Sequence, residues 1–188
     1  MTTTLVNSAT GPVDSARKFR HVLGHYPTGV TVVTALDAER QPVGMTIGSF
    51  TSVSLQPALV AFFPARTSST LPAIREHGSF CVDVIGAHQE EICGAFSRPG
   101  PDRFRGLRWR PAPSGAPILD GAVAWIDCEV DRVDDAGDHH LVMGRVNGLE
   151  VESPDRPLLF LRGGFGAFAP LRPAAATAAD RPDDRSTS

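Results

Sequence analysis

The feature that most constrains this chain is a succession of strand-like segments with few helical segments between them. Residues 29–34 are continuous and rich in β-branched side chains, which is typical of a buried strand. Further strand-like segments occur at 43–50, 51–55, 58–63, 80–85, 122–132 and 140–151. A doubly wound parallel sheet would need helices alternating with the strands. The pattern therefore predicts a mostly β fold with a few short helices, arranged as a closed barrel or a sandwich.

The last two of these segments are expected to form a hairpin. Apolar and acidic residues alternate along the first of them, which places Ile126 and Cys128 on one face and Asp127 on the other. This strand is therefore predicted to be half buried. The polar loop at 134–138 then returns the chain into the second strand.

Three helices are predicted. The first follows a cap at Asp14 or Ser15 and ends before Pro27. It carries an apolar stripe at the i, i+3, i+4 and i+7 spacing, formed by Phe19, Val22, Leu23 and Tyr26. The other two helices are short, at about 69–76 and 88–96.

Length and charge limit the classes of protein that fit. The 188 residues suit one domain, expected at 14–169, between a flexible tail at 1–13 and a disordered tail at 170–188. A net charge of −3 argues against a nucleic-acid partner. Apolar runs fall short of the ~18 residues of a membrane span, and the N-terminus lacks a basic signal-peptide start. A cytoplasmic protein without nucleic-acid or membrane partners is expected.

The cysteine and histidine patterns do not favour a metal site. Cys81, Cys93 and Cys128 are widely spaced among apolar residues, so buried free thiols are expected. His139 and His140 would point to opposite faces of a strand and cannot share a metal ion. No metal is therefore predicted.

Familiar catalytic motifs are missing from the sequence. It contains no Walker loop and no nucleophile elbow. The Gly-rich segment 163–166 lacks the spacing of a dinucleotide-binding loop, and Pro170 follows where a helix should begin. The chemistry must therefore come from less familiar segments.

Two hydroxyl-rich segments are the strongest candidates for a binding site. Residues 49–54 contain four Ser or Thr side chains among apolar neighbours, which suits the lining of a polar, planar heterocycle. A polar-faced edge strand is the alternative interpretation. Residues 67–70 are all Ser or Thr, follow Arg66 and precede a predicted helix, which favours an anion site. Helix capping would explain only one of these hydroxyls.

An ordered set of short motifs resembles a known family. The motifs are Phe19-Arg20, Pro27-Thr28-Gly29-Val30, Gly44-Met45-Thr46, Ser49 to Leu55 with Pro57, Ser69-Thr70, Gly78-Ser79-Phe80, Arg103-Phe104, Gly115-Ala116-Pro117 and Gly137-Asp138-His139. Together they resemble the short-chain flavin reductases, the reductase partners of two-component flavin-dependent monooxygenases. The resemblance covers about residues 16–168.

The resemblance implies a split β-barrel that forms a homodimer and binds FMN or FAD near the dimer interface. It implies that the isoalloxazine edge of the flavin is contacted by Thr46, Ile47, Gly48 and Ser49. The ring and ribityl chain would be contacted by Ser52, Val53 and Ser54. The phosphate would be bound by Ser68, Ser69 and Thr70, assisted by Arg103. It also implies that the catalytic His139 contacts the nicotinamide and that Phe165 packs against it. Gly48 departs from the small polar residue of many relatives, so one side-chain contact to the flavin would be missing.

The implied activity is that of an NAD(P)H:flavin oxidoreductase, which reduces FMN or FAD by hydride transfer and supplies the reduced flavin to a separate monooxygenase. One alternative is a non-catalytic flavin carrier or sensor on the same barrel, which would not need His139. Another is a flavin oxidase of the pyridoxamine-phosphate type, which should offer a basic pocket for a second phosphate. The sequence leaves open the choices between FMN and FAD and between NADH and NADPH.

Overall fold

The computed structural model describes residues 12–97, 100 and 102–171. The helices are α1 (Pro12–Leu23), α2 (Leu71–His77) and α3 (Glu90–Ser97), with short 3-10 turns at Ala87–Gln89 and Asp102–Phe104. The strands are β1 (Thr28–Gly29), β2 (Thr31–Leu36), β3 (Pro42–Ile47), β4 (Thr51–Leu55), β5 (Ala58–Phe62), β6 (Ser79–Val84), β7 (Trp109–Pro111), β8 (Pro117–Leu119), β9 (Ala124–Ala136), β10 (His139–Val151), β11 (Leu158–Leu161) and β12 (Gly164–Ala167). The predicted mostly β fold with a few short helices is confirmed.

The main sheet has seven strands in the order β3-β2-β6-β9-β10-β5-β4, and every neighbouring pair is antiparallel. Its two end strands, β3 and β4, are consecutive in sequence and joined only by residues 48–50. In a flat sheet these ends would lie about 29 Å apart. The chain from Ile47 to Thr51 can span at most about 14 Å. The sheet must therefore curl into a barrel that is split between β3 and β4.

Two small sheets complete the β structure. One has the order β1-β11-β12, and the other pairs β7 with β8. The turn between β11 and β12 is formed by Arg162 and Gly163, both with positive φ. The Gly-rich segment 163–166 is thus part of a hairpin, which agrees with its exclusion as a dinucleotide-binding loop.

The core fills the inside of the curled sheet. Phe62 and Phe80 are fully buried and meet edge to face at 5.2 Å. Gly144 on β10 lies against Phe80, since a Cβ added there would overlap the Phe80 ring. All three cysteines are buried and free, as expected.

The first helix differs from its prediction in two ways. It begins at Pro12, so the predicted caps at Asp14 and Ser15 are wrong; proline suits the first helical position because its missing N–H would be unpaired there anyway. Residues 12 and 13 therefore belong to α1 and not to a tail, while 1–11 and 172–188 lie outside the described residues. The helix also ends at Leu23, so Tyr26 of the predicted stripe lies beyond it, and Phe19, Val22, Leu23 and Tyr26 are 67%, 56%, 49% and 71% exposed. Among the described residues, no helix is both long enough and apolar enough to cross a bilayer.

Asp127 corrects the predicted facing of β9. It was expected on the solvent face of an alternating strand, but it is fully buried. The main-chain N–H of Ser114 donates to Asp127 Oδ2 at 3.1 Å, and the Ser114 hydroxyl donates to Oδ1 at 2.5 Å. Burial of this carboxylate is possible because a loop distant in sequence supplies its hydrogen bonds.

Candidate functional site at the split of the barrel

A large open cleft of about 1400 Å³ lies where the barrel is split. Four segments line it: α1, the end of β3 with the turn after it, the segment after β5, and the turn between β9 and β10. The described lining residues are Ser15, Ala16, Phe19, Arg20, Leu23, Thr46, Ile47, Gly48, Ser49, Phe63, Ala65, Ala136, Asp138 and His139. The structure thus brings the predicted residues 46–49 and His139 into one cleft.

The wall at 46–49 presents mainly main chain to the cleft. The Thr46 hydroxyl donates to the Cys93 carbonyl of α3 at 3.2 Å, and the Ile47 side chain is 6% exposed, within the core. A Cβ added at Gly48 would lie 3.1 Å from the Thr28 hydroxyl oxygen. This crowding gives a physical reason for glycine at 48, where a small polar residue was the family expectation.

Ser49 fixes this wall to the end of β5. The main-chain N–H of Phe63 donates to Ser49 Oγ at 3.0 Å, and the Ser49 hydroxyl lies 3.3 Å from the Phe63 carbonyl oxygen, to which it can donate. The turn after β3 is therefore tied to the end of β5, the neighbour of the end strand β4, by a side chain instead of a strand ladder. This contact holds the 48–50 turn in place without any bound molecule.

The hairpin tip that carries His139 is held against the same segment. Residues Ala65 and His139 form an isolated antiparallel bridge. The Arg66 N–H donates to the Asp138 carbonyl at 3.0 Å, and the His140 N–H donates to the Pro64 carbonyl at 2.9 Å. His139 is therefore held in place by two main-chain hydrogen bonds, one made by the residue before it and one by the residue after it.

Asp138 orients the His139 ring. His139 Nδ1 lies 2.7 Å from Asp138 Oδ1, and since an ionised carboxylate only accepts, Nδ1 carries the proton. The Nε2 atom is then left for a ligand, as acceptor in the neutral ring and as donor in the charged ring. The hydrogen bond from His139 and then its charge lower the pKa of Asp138, with a smaller contribution from Arg20. The histidine is 43% exposed in its side chain, so solvent and ligand can reach it.

The α1 wall was missed by sequence reasoning. Phe19 and Leu23 face the cleft with the apolar stripe of the helix, and Ser15, Ala16 and Arg20 extend this wall. The stripe itself was recognised, but a stripe normally packs into the core of its own chain. The spacing of apolar residues predicts that they share one face of the helix, but it does not predict that this face lies at the open split of the barrel.

The residues that were predicted to bind the flavin phosphate form a separate cluster around Arg103. Its guanidinium donates to the Gly44 carbonyl at 2.6 Å, to Thr70 Oγ1 at 3.1 Å and to Ser69 Oγ at 3.3 Å. The buried Thr70 hydroxyl donates to the same Gly44 carbonyl at 3.0 Å. The Ser68 hydroxyl donates to Met45 Sδ and accepts from the Thr70 N–H, each at 3.3 Å. Thus the serines, Thr70 and Arg103 are brought together against β3.

Arg66 takes a different direction from this cluster. Its Nε donates to the Gly137 carbonyl at 2.7 Å, and Nη2 lies 3.1 Å from Asp135. The guanidinium therefore supports the hairpin that carries His139. The basic group beside Ser69 and Thr70 is Arg103, which is 33 residues or more away in sequence.

Two further predicted groups lie outside the described lining of the cleft. Residues Ser52, Val53 and Ser54 are on β4, at the edge of the sheet, with a bulge between 52 and 54. This position matches the edge-strand alternative for the hydroxyl-rich segment. Phe165 is on β12 and packs edge to face on Phe160, with ring centroids 5.3 Å apart.

The split barrel and its cleft define the class of the protein. The model of the flavin reductase-like domain matches residues 23–169, most of the chain, and the chain belongs to this family. The flavin reductase of Pseudomonas putida is 50% identical over 167 residues, which are 89% of this chain and 96% of that protein.

Solved structures agree with this family membership. Nitrilotriacetate monooxygenase component B from Mycobacterium thermoresistibile superposes with a TM-score of 0.82 at 40% identity, covering 95% of this chain and 98% of that one. The NADH:FAD oxidoreductase of Streptomyces globisporus, in complex with NAD and FAD fragments, gives a TM-score of 0.78 at 36% identity, covering 87% and 98%. The predicted fold class, a mostly β split barrel of the flavin reductase type, is confirmed.

Proposed function

We propose that this chain is an NAD(P)H:flavin oxidoreductase that reduces FMN or FAD by hydride transfer from NADH or NADPH and supplies the reduced flavin to a separate monooxygenase. The observation that supports it best is the cleft that places the 46–49 wall across from His139. Family membership and the names of the relatives, flavin reductase and NADH:FAD oxidoreductase, point to the same chemistry.

The cleft fits a flavin on the evidence of its own residues. The 46–49 wall includes Gly48 and lines the cleft, so that a flat heterocycle can lie against it closely. Phe19 and Leu23 supply an apolar wall that excludes water from the ring. The flavin and the dinucleotide, when bound, supply the hydride chemistry, and the protein supplies placement and electrostatics. We propose residues 46–49 for the isoalloxazine edge.

His139 is proposed to position the nicotinamide. Asp138 holds its Nδ1 proton, so Nε2 can accept from the amide N–H of the nicotinamide carboxamide. Hydride transfer needs the reacting atoms within about 3–3.5 Å of each other. A fixed imidazole contributes by holding one ring at that separation, and neither a nucleophile nor a general base is required.

The remaining predicted contacts follow the length of the flavin. Ser52, Val53 and Ser54 are proposed for the ring and ribityl chain, because β4 begins directly after the 48–50 turn. The cluster of Ser68, Ser69, Thr70 and Arg103 is proposed for the phosphate, since it combines hydroxyl donors with a guanidinium. Phe165 is proposed to act near the nicotinamide end of the site.

A homodimer is proposed to complete the cleft. The α1 stripe is about half to two-thirds exposed, and Leu55 on the edge strand β4 is 91% exposed. Exposed apolar residues in such number next to an open cleft are typical of an interface. A second copy would cover them. Sedimentation velocity of the full chain at micromolar concentration should give a species of twice the 20.0 kDa mass.

The first experiment is NADH and NADPH oxidation under air by the purified protein, with and without added FMN, FAD or riboflavin. We expect turnover that depends on an added flavin, and micromolar flavin affinity, because a reductase that serves a partner must release its product. Flavin binding without flavin-dependent turnover would instead favour the carrier or the oxidase. His88→Ala is a suitable control for His139 variants, because His88 is also about half exposed and pairs with an aspartate, Asp155.

A further inference from the structure

The hairpin tip that carries His139 extends beyond the regular part of the sheet. The ladder between β5 and β10 ends at Phe62 and Val142. Beyond it, the tip (residues 137–140) meets the segment after β5 (residues 63–66) through an isolated bridge. A two-stranded ribbon is at best marginally stable by itself in water. Further contacts are therefore needed to hold the tip in one place.

Arg66 supplies such contacts from the segment after β5. Its main-chain N–H donates to the Asp138 carbonyl at 3.0 Å, and its Nε donates to the Gly137 carbonyl at 2.7 Å. Its Nη2 atom lies 3.1 Å from Asp135 Oδ1. One guanidinium thus binds a carbonyl in the turn and a carboxylate on the strand before the turn. The planar fork of arginine can make both contacts at once, whereas a flexible ammonium lacks these fixed directions.

His140 completes this cluster on the back of the hairpin. Its Nδ1 lies 3.2 Å from the same Asp135 oxygen, and its main-chain N–H donates to the Pro64 carbonyl at 2.9 Å. His139 lines the large cleft, whereas His140 and Arg66 line a separate cleft, because adjacent residues of a strand face opposite sides. The contacts of Arg66 therefore reach His139 through the hairpin.

The segment 63–66 also holds the opposite wall of the large cleft. The Phe63 N–H donates to Ser49 Oγ at 3.0 Å, only three residues before Arg66. Three extended residues span at most about 10 Å. The 46–49 wall and His139 are thus anchored to one short stretch of chain, which limits how far apart they can lie. Hydride transfer requires the two reacting atoms within about 3–3.5 Å of each other, so movement at either anchor would slow it.

We propose that Arg66 is a positioning residue for hydride transfer, which fixes the His139 imidazole relative to the 46–49 wall by holding the hairpin tip. This inference rests on the proposed function, which places the flavin at 46–49 and the nicotinamide at His139. Arg66 itself lies outside the described lining of the large cleft. Its role therefore differs from the anion binding that its place before residues 67–70 predicts.

The test is a double-mutant cycle between Arg66 and His139 in the full-length protein. Arg66→Met keeps an apolar stem but removes every guanidinium contact. We expect kcat/KM for NADH or NADPH, whichever the native protein oxidises, to fall about tenfold, since a small displacement of a positioned group is costly. The Kd for flavin should stay within about twofold. In the His139→Ala background, Arg66→Met should change kcat/KM less than about twofold, because the imidazole that it positions is gone.

The matched control is Arg132→Met. The Arg132 side chain is also about half exposed and pairs with a carboxylate, Asp134, at 3.0 Å. Both partners of this pair lie within β9, so it does not join the hairpin to the segment 63–66. We expect Arg132→Met to leave kcat/KM within about twofold of the native value. A loss equal to that of Arg66→Met would overturn the proposal.

A second measurement follows the hairpin without turnover. Amide hydrogen exchange, read by NMR, reports how often the His140 N–H leaves the Pro64 carbonyl. We expect this exchange to be roughly tenfold faster in Arg66→Met, which corresponds to the loss of one charge-assisted hydrogen bond. It should be unchanged in Arg132→Met. An unchanged His140 exchange in Arg66→Met overturns the proposal whatever the rates show.

The remaining outcomes separate this proposal from the proposed function. An equal loss of kcat/KM in both His139 backgrounds overturns it, because Arg66 would then act independently of the imidazole. A raised Kd for flavin in Arg66→Met also overturns it and makes Arg66 a flavin ligand. If His140 exchange is faster but no flavin supports turnover of the native protein, the hold of Arg66 on the hairpin stands and the reductase proposal fails.

Discussion

Two carboxylates show how differently the closed side and the split side of this barrel are built. Asp83, on β6 in the closed side, is fully buried, and desolvation raises its pKa to about 8. Asp138, at the split, is exposed, and the hydrogen bond from His139 lowers its pKa. Burial therefore favours the protonated form of Asp83, whereas the hydrogen bond from His139 favours the ionised form of Asp138.

The difference reflects what surrounds each group. The Asp83 environment offers the Leu119 N–H at 2.9 Å, but it removes water completely, and burial outweighs this hydrogen bond. The Asp138 environment keeps the water and adds a histidine. The closed side thus excludes water from a buried polar group, whereas the split side keeps its polar groups hydrogen-bonded and in contact with solvent. The following predictions test this contrast, from the largest expected effect to the smallest.

The largest effect is expected for Asp83→Asn, measured as the free energy of unfolding against pH. A folded-state pKa raised above the ordinary value of 3.8 means that the stability of the native protein is highest at low pH and falls as pH rises toward 8. The asparagine variant has no such group, so we expect its stability to exceed that of the native protein by several kcal/mol at pH 8.5. Near pH 4 this difference should disappear.

Urea unfolding of both proteins at pH 4.5 and pH 8.5 measures this effect. Subtracting the two pH profiles removes the other titrating groups, because they are common to both proteins. Equal pH dependence in the two proteins would contradict a protonated Asp83. Flavin-dependent turnover per folded molecule should be unchanged, since Asp83 lies outside the described lining of the cleft.

His139→Ala tests the split side directly. Without the imidazole, the nicotinamide loses its proposed contact, and we expect kcat/KM for the dinucleotide to fall about 100-fold, as is typical when reacting groups are misplaced by about 1 Å. The Kd for flavin, from quenching of its fluorescence, should stay within about twofold. A wild-type kcat/KM in this variant would remove His139 from the mechanism and favour a different nicotinamide contact.

Gly144→Ala tests the packing of the closed side. A Cβ there would lie 2.9 Å from Phe80 Cε1 and 3.0 Å from Cys128 Cβ, so the aromatic ring or the strand must shift. Such overpacking typically costs about 1–3 kcal/mol of stability, which denaturant unfolding measures. The control is Gly94→Ala on α3, where an added Cβ meets no atom within 4 Å. We expect that helical substitution to be neutral or to stabilise by about 0.5–1 kcal/mol; equal losses in both variants would contradict a packing effect.

The smallest effect is expected for Asp138→Asn. The amide can still accept from His139 Nδ1 but carries no charge, so the imidazole is held less firmly. We expect kcat/KM for the dinucleotide to fall roughly fivefold. Because the native pKa is lowered, the carboxylate contact of the native protein persists as pH falls through the ordinary aspartate range. At pH 8 the native carboxylate is ionised, so the fivefold loss should be measured there; equal kcat/KM of the two proteins at pH 8 would contradict the assignment.

Much of the architecture was predictable because it depends on local pattern. The β-branched run that became β2 is buried along its whole length, as expected. The Asp127 error shows the limit, since its burial depends on Ser114, which comes from a different loop. Alternation along a strand indicates which residues share a face, but it cannot indicate what covers that face.

The candidate site was predictable in part for the same reason. Residues 46–49 and His139 were named from motifs, and the structure places them in one cleft. The α1 wall was not foreseen, because it depends on where the helix lies relative to the turn between β9 and β10, which is more than 100 residues later in the chain. The roles of Arg66 and Arg103 also required the fold. Arg66 precedes the hydroxyl-rich segment 67–70 but turns to the hairpin, whereas Arg103 contacts Ser69 and Thr70 from 33 or 34 residues away.

The three residues that join β3 to β4 limit the width of the candidate cleft. Because this linker is so short, the opening has a fixed span that does not depend on the identity of the residues around it. Inserting one or two residues between Ile47 and Thr51 would change the capacity of the cleft while leaving every lining side chain intact. The width of the cleft in such a barrel is therefore limited by the length of the segment that joins its two end strands, a quantity that a comparison of lining side chains does not include.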